Sequence, residues 1–98
     1  FYEKRHFAHG RGCTDLWIGV AGEEVPFGTD LVFAAANLPG FRFGIEICED
    51  FWAPVPPGMQ AALAGALILC NLSASPVTIG RADDRHLHCR SSASRAIA

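Results

Sequence analysis

No stretch of this sequence approaches the ~20 consecutive apolar residues that a membrane-spanning helix needs, and no secretory signal opens it. The net charge is only −2 and the basic residues are scattered, so neither a membrane nor a nucleic-acid partner is predicted. CxxC and HExxH are both absent, and we expect no metal site. Four cysteines in 98 residues are too few for a disulfide-stapled secreted domain, which favours reduced thiols in the cytoplasm.

The length allows one domain at most. Half of the residues are hydrophobic, and several apolar segments need cover on both faces, more than so short a chain supplies. The sequence begins at Phe1 without Met and stops at Ala98 within a predicted helix. We therefore expect residues 1–98 to be part of one larger domain, truncated at both ends.

The hydrophobic pattern predicts an α/β layered fold. Strands are predicted at 16–20, 32–36, 41–47 and 66–72, turns at 21–24 and 27–30, and helices over 59–66 and from about 81. The continuous apolar run 66–72 is typical of a strand that is buried on both faces. In the last helix we expect one stripe to face the core, namely Ala82, His86, Cys89, Ala93, Ala96 and Ile97, with Arg81, Arg85, Ser92 and Arg95 largely opposite.

The most informative segment is 44–54, GIEICEDFWAP, which ends a strand with strictly alternating apolar and polar residues. Cys48 follows on the polar side, in line with Glu46, at the point where the strand stops. A nucleophile stands clear of the sheet at a strand-to-helix corner of this kind in many hydrolases. The alternative is that Cys48 is a buried small hydrophobe, which is common for a free cysteine. The residues alone leave both interpretations open.

Acidic residues surround this cysteine, namely Glu46, Glu49 and Asp50, and residues 43–58 contain no Lys, Arg or His. Negative neighbours disfavour a thiolate. A nucleophilic Cys48 would therefore need a cation or a base from elsewhere in the fold.

A second segment, 71–81 (NLSASPVTIGR), opens from the predicted strand into a serine-rich loop. Pro76 holds Ser75 extended, and Gly80 and Arg81 begin a helix whose positive end attracts an anion. This combination suits a carboxylate ligand. A plain serine-rich loop beside a solvated arginine is the alternative.

Five segments carry a resemblance that covers nearly the whole chain in matching order: FYEKRHF, EEVPFGTDLVF, GIEICEDFWAPVPP, AALAGALILCNLSASPVTIGRADDR and RSSASRAIA. Together they resemble the glutaminase domain of glutamine-dependent NAD synthetases, a branch of the nitrilase (carbon–nitrogen hydrolase) superfamily. The resemblance implies a fragment of the nitrilase-type αββα sandwich. It also implies a Glu–Lys–Cys triad whose glutamate and lysine precede this chain.

The resemblance assigns roles by position. Cys48 becomes the nucleophile that forms a thioester with glutamine, and the backbone N–H of Glu49 contributes to the oxyanion site. Ser75 and Arg81 bind glutamine, with the arginine on its α-carboxylate, and Trp52 forms part of the pocket wall. In the N-terminal segment, Glu3 matches an additional glutamate that orients the catalytic lysine, and Lys4 is a structural or surface residue.

The implied partners are L-glutamine and a synthetase domain of the same chain. That domain would use ATP and Mg to amidate nicotinic acid adenine dinucleotide to NAD with the released ammonia. No cofactor is expected in residues 1–98, a homo-oligomer is expected, and these residues alone should show no turnover. Two alternatives remain: an amidase acting on another amide, and a non-catalytic structural segment.

Overall fold

The computed structural model describes residues 6–8, 10–13, 16–76 and 78–98, leaving aside the side chain of Arg11. The chain divides into two compact units, residues 1–31 and 32–98. Within the described residues, no helix has both the length and the apolar character required to cross a membrane.

The first unit contains a short 3-10 helix, η1 (Gly10–Gly12), and an antiparallel hairpin of β1 (Trp17–Val20) and β2 (Glu23–Pro26). Ala21 and Gly22 form the turn, both with positive φ (53° and 88°), as a tight two-residue hairpin requires. The turn predicted at 21–24 is longer than the observed one. Two of those residues begin β2, because two left-handed residues suffice to reverse the chain.

The second unit contains a three-stranded sheet in the order β3 (Val32–Ala34), β4 (Arg42–Ile47), β5 (Ile68–Leu72). β3 is antiparallel to β4, whereas β5 is parallel to it. Parallel neighbours need a crossover, and the segment between β4 and β5 provides it with helix α1 (Pro57–Leu63). A longer helix, α2 (Arg81–Ala96), follows β5. The fold is thus mixed α/β, as the sequence predicted.

Helix α1 packs closely against the middle of β4. A Cβ at Gly44 would lie 2.5 Å from the Cβ of Ala61, so only glycine permits this approach. The covered side of β4 is the one that carries Gly44 and Glu46, while Ile45 and Ile47 are 42% and 55% exposed. The alternation was predicted correctly. The described residues cover the polar side of β4, because Gly44 leaves room for α1 and Glu46 accepts a hydrogen bond from the first turn of that helix.

The expectation that 66–72 is buried on both faces is wrong for the described part of the chain. The strand begins only at Ile68, lies at an edge of the three-stranded sheet, and leaves Leu72 61% exposed. Leu69 and Cys70 are half-buried. Ala66, just before the strand, is the one buried hydrophobic residue among the described residues.

The predicted core-facing stripe of α2 is also wrong. Ala82, His86 and Cys89 are exposed. The covered positions are Arg85, His88, Ser92 and Ala96, which share a face at helical spacing. Of these, only Ala96 belongs to the predicted stripe, and Arg85 and Ser92 were expected on the opposite side. The reason is that this face carries side chains that contact the loop after β5 and the aromatic residues after β4, so its burial follows polar and ring contacts rather than hydrophobicity.

Candidate active site

The site is built on the corner where β4 ends. Cys48 is the first residue of a 3-10 helix, η2 (Cys48–Trp52), and has φ 48°. A positive φ is uncommon for a residue with a side chain and costs roughly 1–2 kcal/mol. The Asp50 carboxylate accepts a hydrogen bond from the Ile47 N–H at 3.1 Å and so holds the turn closed. Cys48 therefore occupies a sharp, strained strand-to-helix corner, the geometry expected of a nucleophile elbow.

The parallel pairing of β4 and β5 brings a second segment to this corner. Because Ile47 pairs with Leu72, the chain leaving β5 runs beside Cys48. The Cys48 Sγ lies 3.6 Å from the Ser75 Oγ and 3.7 Å from the Ser73 Oγ, and the two hydroxyls are 2.6 Å apart. The thiol is half-buried among hydroxyl groups, which favours the corner interpretation over that of a small hydrophobe in an apolar core.

Beneath the corner lies a buried carboxylate. Glu46 is only 5% exposed, and its Oε2 accepts a hydrogen bond from the Gly58 N–H at 2.9 Å. Its Oε1 accepts from Asn71 Nδ2 at 3.3 Å, and the same nitrogen donates to the Cys48 carbonyl oxygen at 3.2 Å. Glu46 thus links the start of α1 to the strand β5, and Asn71 links both to the corner.

Two arginines of α2 adjoin the serine-rich loop. Gly80 precedes the helix with φ 82°, and Arg81 is its exposed first residue. One turn later, Arg85 Nη2 donates to the carbonyl oxygens of Ser75 and Pro76 at 3.0 and 3.1 Å. Arg85 therefore fixes the loop that presents the Ser75 hydroxyl to the thiol, whereas Arg81 stands at the open end of the helix.

Aromatic residues of the segment after β4 contact helix α2 near the Cys48 corner. The Trp52 ring is 4.2 Å from the His88 ring in an edge-on arrangement, and Phe51 is 6.2 Å from the same histidine. Trp52 remains half exposed at 50%. His88 therefore contacts one side of the Trp52 indole, and part of that ring remains accessible.

Cys48, Glu46, Asn71 and the serine, arginine and aromatic side chains described above line one cavity of about 890 Å³ within the second unit. It brings together five of the six residues that the sequence analysis singled out, namely Cys48, Glu49, Trp52, Ser75 and Arg81. Glu3, the sixth, lies outside the described residues, as does Lys4. The volume is within the range of small-molecule pockets, about 300–1,000 Å³.

Among the lining residues that received no role from the sequence are Asn71, Ser73, Arg85 and His88. Asn71 and Ser73 lie in the segment 71–81 that the sequence already indicated. The register of β4 and β5, which the sequence does not give, is what brings them beside Cys48. Arg85 and His88 were not predicted as site residues because the hydrophobic pattern indicated that a different face of α2 is covered.

The side chains that line this cavity determine the chemistry that it can support. A thiol at a strained corner can attack an electrophilic carbon, hydroxyls beside it can donate hydrogen bonds, and an exposed guanidinium can pair with a carboxylate. Cys13, Cys70 and Cys89 are free thiols. Over the described ranges, no three His, Cys, Asp or Glu side chains gather as a metal site would require.

Comparisons with known proteins give relatives but no matching family model. Over all 98 residues the chain is 55% identical to the glutamine-dependent NAD(+) synthetase of Mycobacterium tuberculosis and 53% identical to that of Mycobacterium leprae, covering 14% of each. The protein of the same name from Thermotoga maritima is 34% identical over 64 residues, which is 64% of this chain and 11% of that protein. The chain thus spans about one seventh of the length of the curated relatives that it matches throughout.

Proposed function

Because the whole chain is homologous to a segment of glutamine-dependent NAD(+) synthetases, we propose that residues 1–98 belong to a glutaminase domain of a longer protein. The domain would be a nitrilase-type αββα sandwich, truncated here at both ends. Its product, ammonia, would serve an ATP- and Mg-dependent synthetase domain of the same chain, which amidates nicotinic acid adenine dinucleotide to NAD. The observation that carries the proposal is the strained Cys48 corner in a cavity that also holds Ser75 and Arg81.

Glutamine would bind with its side-chain amide at Cys48. An exposed arginine at the rim, Arg81, matches the α-carboxylate of the amino acid in charge and in its fork of donors. Ser75, held by Arg85 through its carbonyl, would present its hydroxyl to the substrate. The accessible part of the Trp52 ring would form the wall against which the aliphatic part of glutamine packs.

The reaction would run in two steps. The Cys48 sulfur attacks the amide carbon, a C–S bond forms, the C–N bond breaks, and the nitrogen takes up a proton and leaves as ammonia. Water then attacks the thioester, giving glutamate and restoring the thiol. In this proposal the Glu49 backbone N–H stabilises the oxyanion. The glutamate and lysine preceding this chain transfer the protons, and Glu3 orients that lysine.

The reaction also bears on the protein's surroundings. Thiols are kept reduced in the cytoplasm, which is the compartment that we propose for the protein. The homo-oligomer stays a prediction.

The test uses the full-length protein. Purified protein should release ammonia and glutamate from glutamine in equal amounts, whereas Cys48→Ala should reduce this release to the background rate. A diazoketone analogue of glutamine should alkylate Cys48 in preference to the exposed Cys13 and Cys89, as peptide mass spectrometry would show. Uniform labelling of the three thiols, or ammonia release that survives in Cys48→Ala, would contradict the proposal and favour a structural segment.

A further inference from the structure

The buried carboxylate beneath the corner has no place in the mechanism above. A carboxylate removed from water is costly unless hydrogen bonds compensate, and Glu46 is 5% exposed. Both of its oxygens accept hydrogen bonds, from Gly58 N–H at 2.9 Å and Asn71 Nδ2 at 3.3 Å. A Cβ at Gly58 would lie 2.9 Å from Glu46 Oε2, so a residue with a side chain there would disturb the contact. Three elements thus converge on a single carboxylate.

Asn71 connects that carboxylate to the nucleophile. Its side-chain nitrogen carries two hydrogens, and it lies within hydrogen-bond distance of two acceptors, Glu46 Oε1 and the Cys48 carbonyl oxygen at 3.2 Å. The carboxylate therefore fixes the amide of Asn71, and that amide in turn fixes the Cys48 carbonyl.

The position of this carbonyl matters because a peptide unit is planar. The Cys48 carbonyl and the Glu49 N–H belong to one such unit, so a donor that holds the oxygen also sets the direction of the N–H. The same contact restrains the backbone at Cys48, where φ is 48° and the chain is strained. Strain of this kind persists only where neighbouring contacts maintain it.

We propose that Glu46 and Asn71 are positioning residues for Cys48, with the Glu46 carboxylate orienting the Asn71 amide so that it holds the Cys48–Glu49 peptide in its reactive orientation. This inference rests on the proposed glutaminase function. It assigns neither residue to contact with substrate.

The experiment compares variants of the full-length protein by glutamine-dependent ammonia release, expressed per Cys48 that the diazoketone labels. Asn71→Ala should lower kcat by about 10- to 100-fold, the loss that a misplaced reacting group produces, with KM within about threefold of wild type. Asn71 is exposed, so this variant should fold. The matched control is Asn37→Ala, an exposed asparagine in the turn before β4, which should leave both constants unchanged.

A paired exchange separates positioning from plain stability. Glu46→Gln combined with Asn71→Asp again places an amide donor against a carboxylate, but no neutral amide then donates to the Cys48 carbonyl. We expect the double variant to regain the thermal midpoint lost in Glu46→Gln while kcat stays low. Recovery of kcat together with the midpoint would overturn the inference, as would an Asn71→Ala variant with wild-type kcat. A wild-type protein that releases no more ammonia than Cys48→Ala would instead refute the proposed function, before any of these variants is compared.

Discussion

The backbone at Cys48 predicts that replacing it has an unusual effect on stability. At φ 48° a residue with a Cβ pays roughly 1–2 kcal/mol, and glycine avoids this cost. Glycine loses about 0.5–1 kcal/mol relative to alanine through the entropy of the unfolded chain. We therefore expect Cys48→Gly to be more stable than Cys48→Ala by about 0.5–1 kcal/mol. Both variants lack the sulfur, so its contacts with the serine hydroxyls cancel in the comparison.

Cys89 supplies the matched control. It is exposed and lies inside helix α2 (Arg81–Ala96), where glycine is about 1 kcal/mol less favourable than alanine. The order of the two variants should therefore reverse between the two cysteines. The difference between the two sites should be about 1.5–2 kcal/mol.

The measurement uses the full-length protein in increasing urea, with alkylation of Cys70 as a local probe. Cys70 is half-buried in β5 and pairs with Ile45 of β4, so its reactivity reports the opening of the strands that meet at the corner. If Cys48→Ala proves as stable as Cys48→Gly while the Cys89 variants show the usual helical order, the left-handed corner is refuted. The geometric basis for a nucleophile elbow at Cys48 would then be lost.

Two further predictions concern the cavity rim and the sheet. Arg81→Ala should raise KM for glutamine by about 10- to 100-fold, the effect of losing a hydrogen bond to a charged group. The control variant Arg95→Ala, in the exposed last turn of α2, should leave KM unchanged. Equal KM values for the two variants would favour an amidase that acts on another amide. Gly44→Ala should lower the free energy of unfolding by about 1–3 kcal/mol, because the new Cβ would lie 2.5 Å from that of Ala61, and urea denaturation would measure it. Gly19→Ala, whose Cβ meets no atom within 4 Å, should cost little, and a similar cost for both would contradict the close helix packing.

Much of this fold could be predicted from local pattern. The strand at 41–47 was found within one residue because strict alternation is specific to a half-covered strand. Helix α2 begins at Arg81 as expected, after a glycine with positive φ. The hairpin strand β2 was missed because its acidic pair, Glu23 and Glu24, reads as turn composition, and only the pairing with β1 makes it a strand.

Residues of the candidate site could be predicted where the pattern of their own segment indicates a functional role. Cys48 and Ser75 lie 27 residues apart, yet both were singled out, one by its place at a strand end and the other in the serine-rich loop. The resemblance then gave each its role. Asn71 and Arg85 could not be assigned from sequence, because their roles depend on which carbonyl oxygens they reach. Those carbonyls belong to Cys48, Ser75 and Pro76, and the strand register and the helix orientation together bring them within reach.

On both β4 and α2, the face that the described residues cover carries mainly polar side chains. On β4, Glu46 is covered while Ile47 is exposed, and on α2, Arg85 is half-buried while Cys89 is exposed. Both covered faces adjoin the Cys48 corner, so burial there follows the hydrogen bonds that hold the corner, and hydrophobicity does not decide it. The exposed apolar side chains still need a layer against which to pack, and the proposed αββα sandwich provides one. On that proposal the hydrophobic pattern marks the faces that support the domain, while the polar pattern marks the face that does its chemistry.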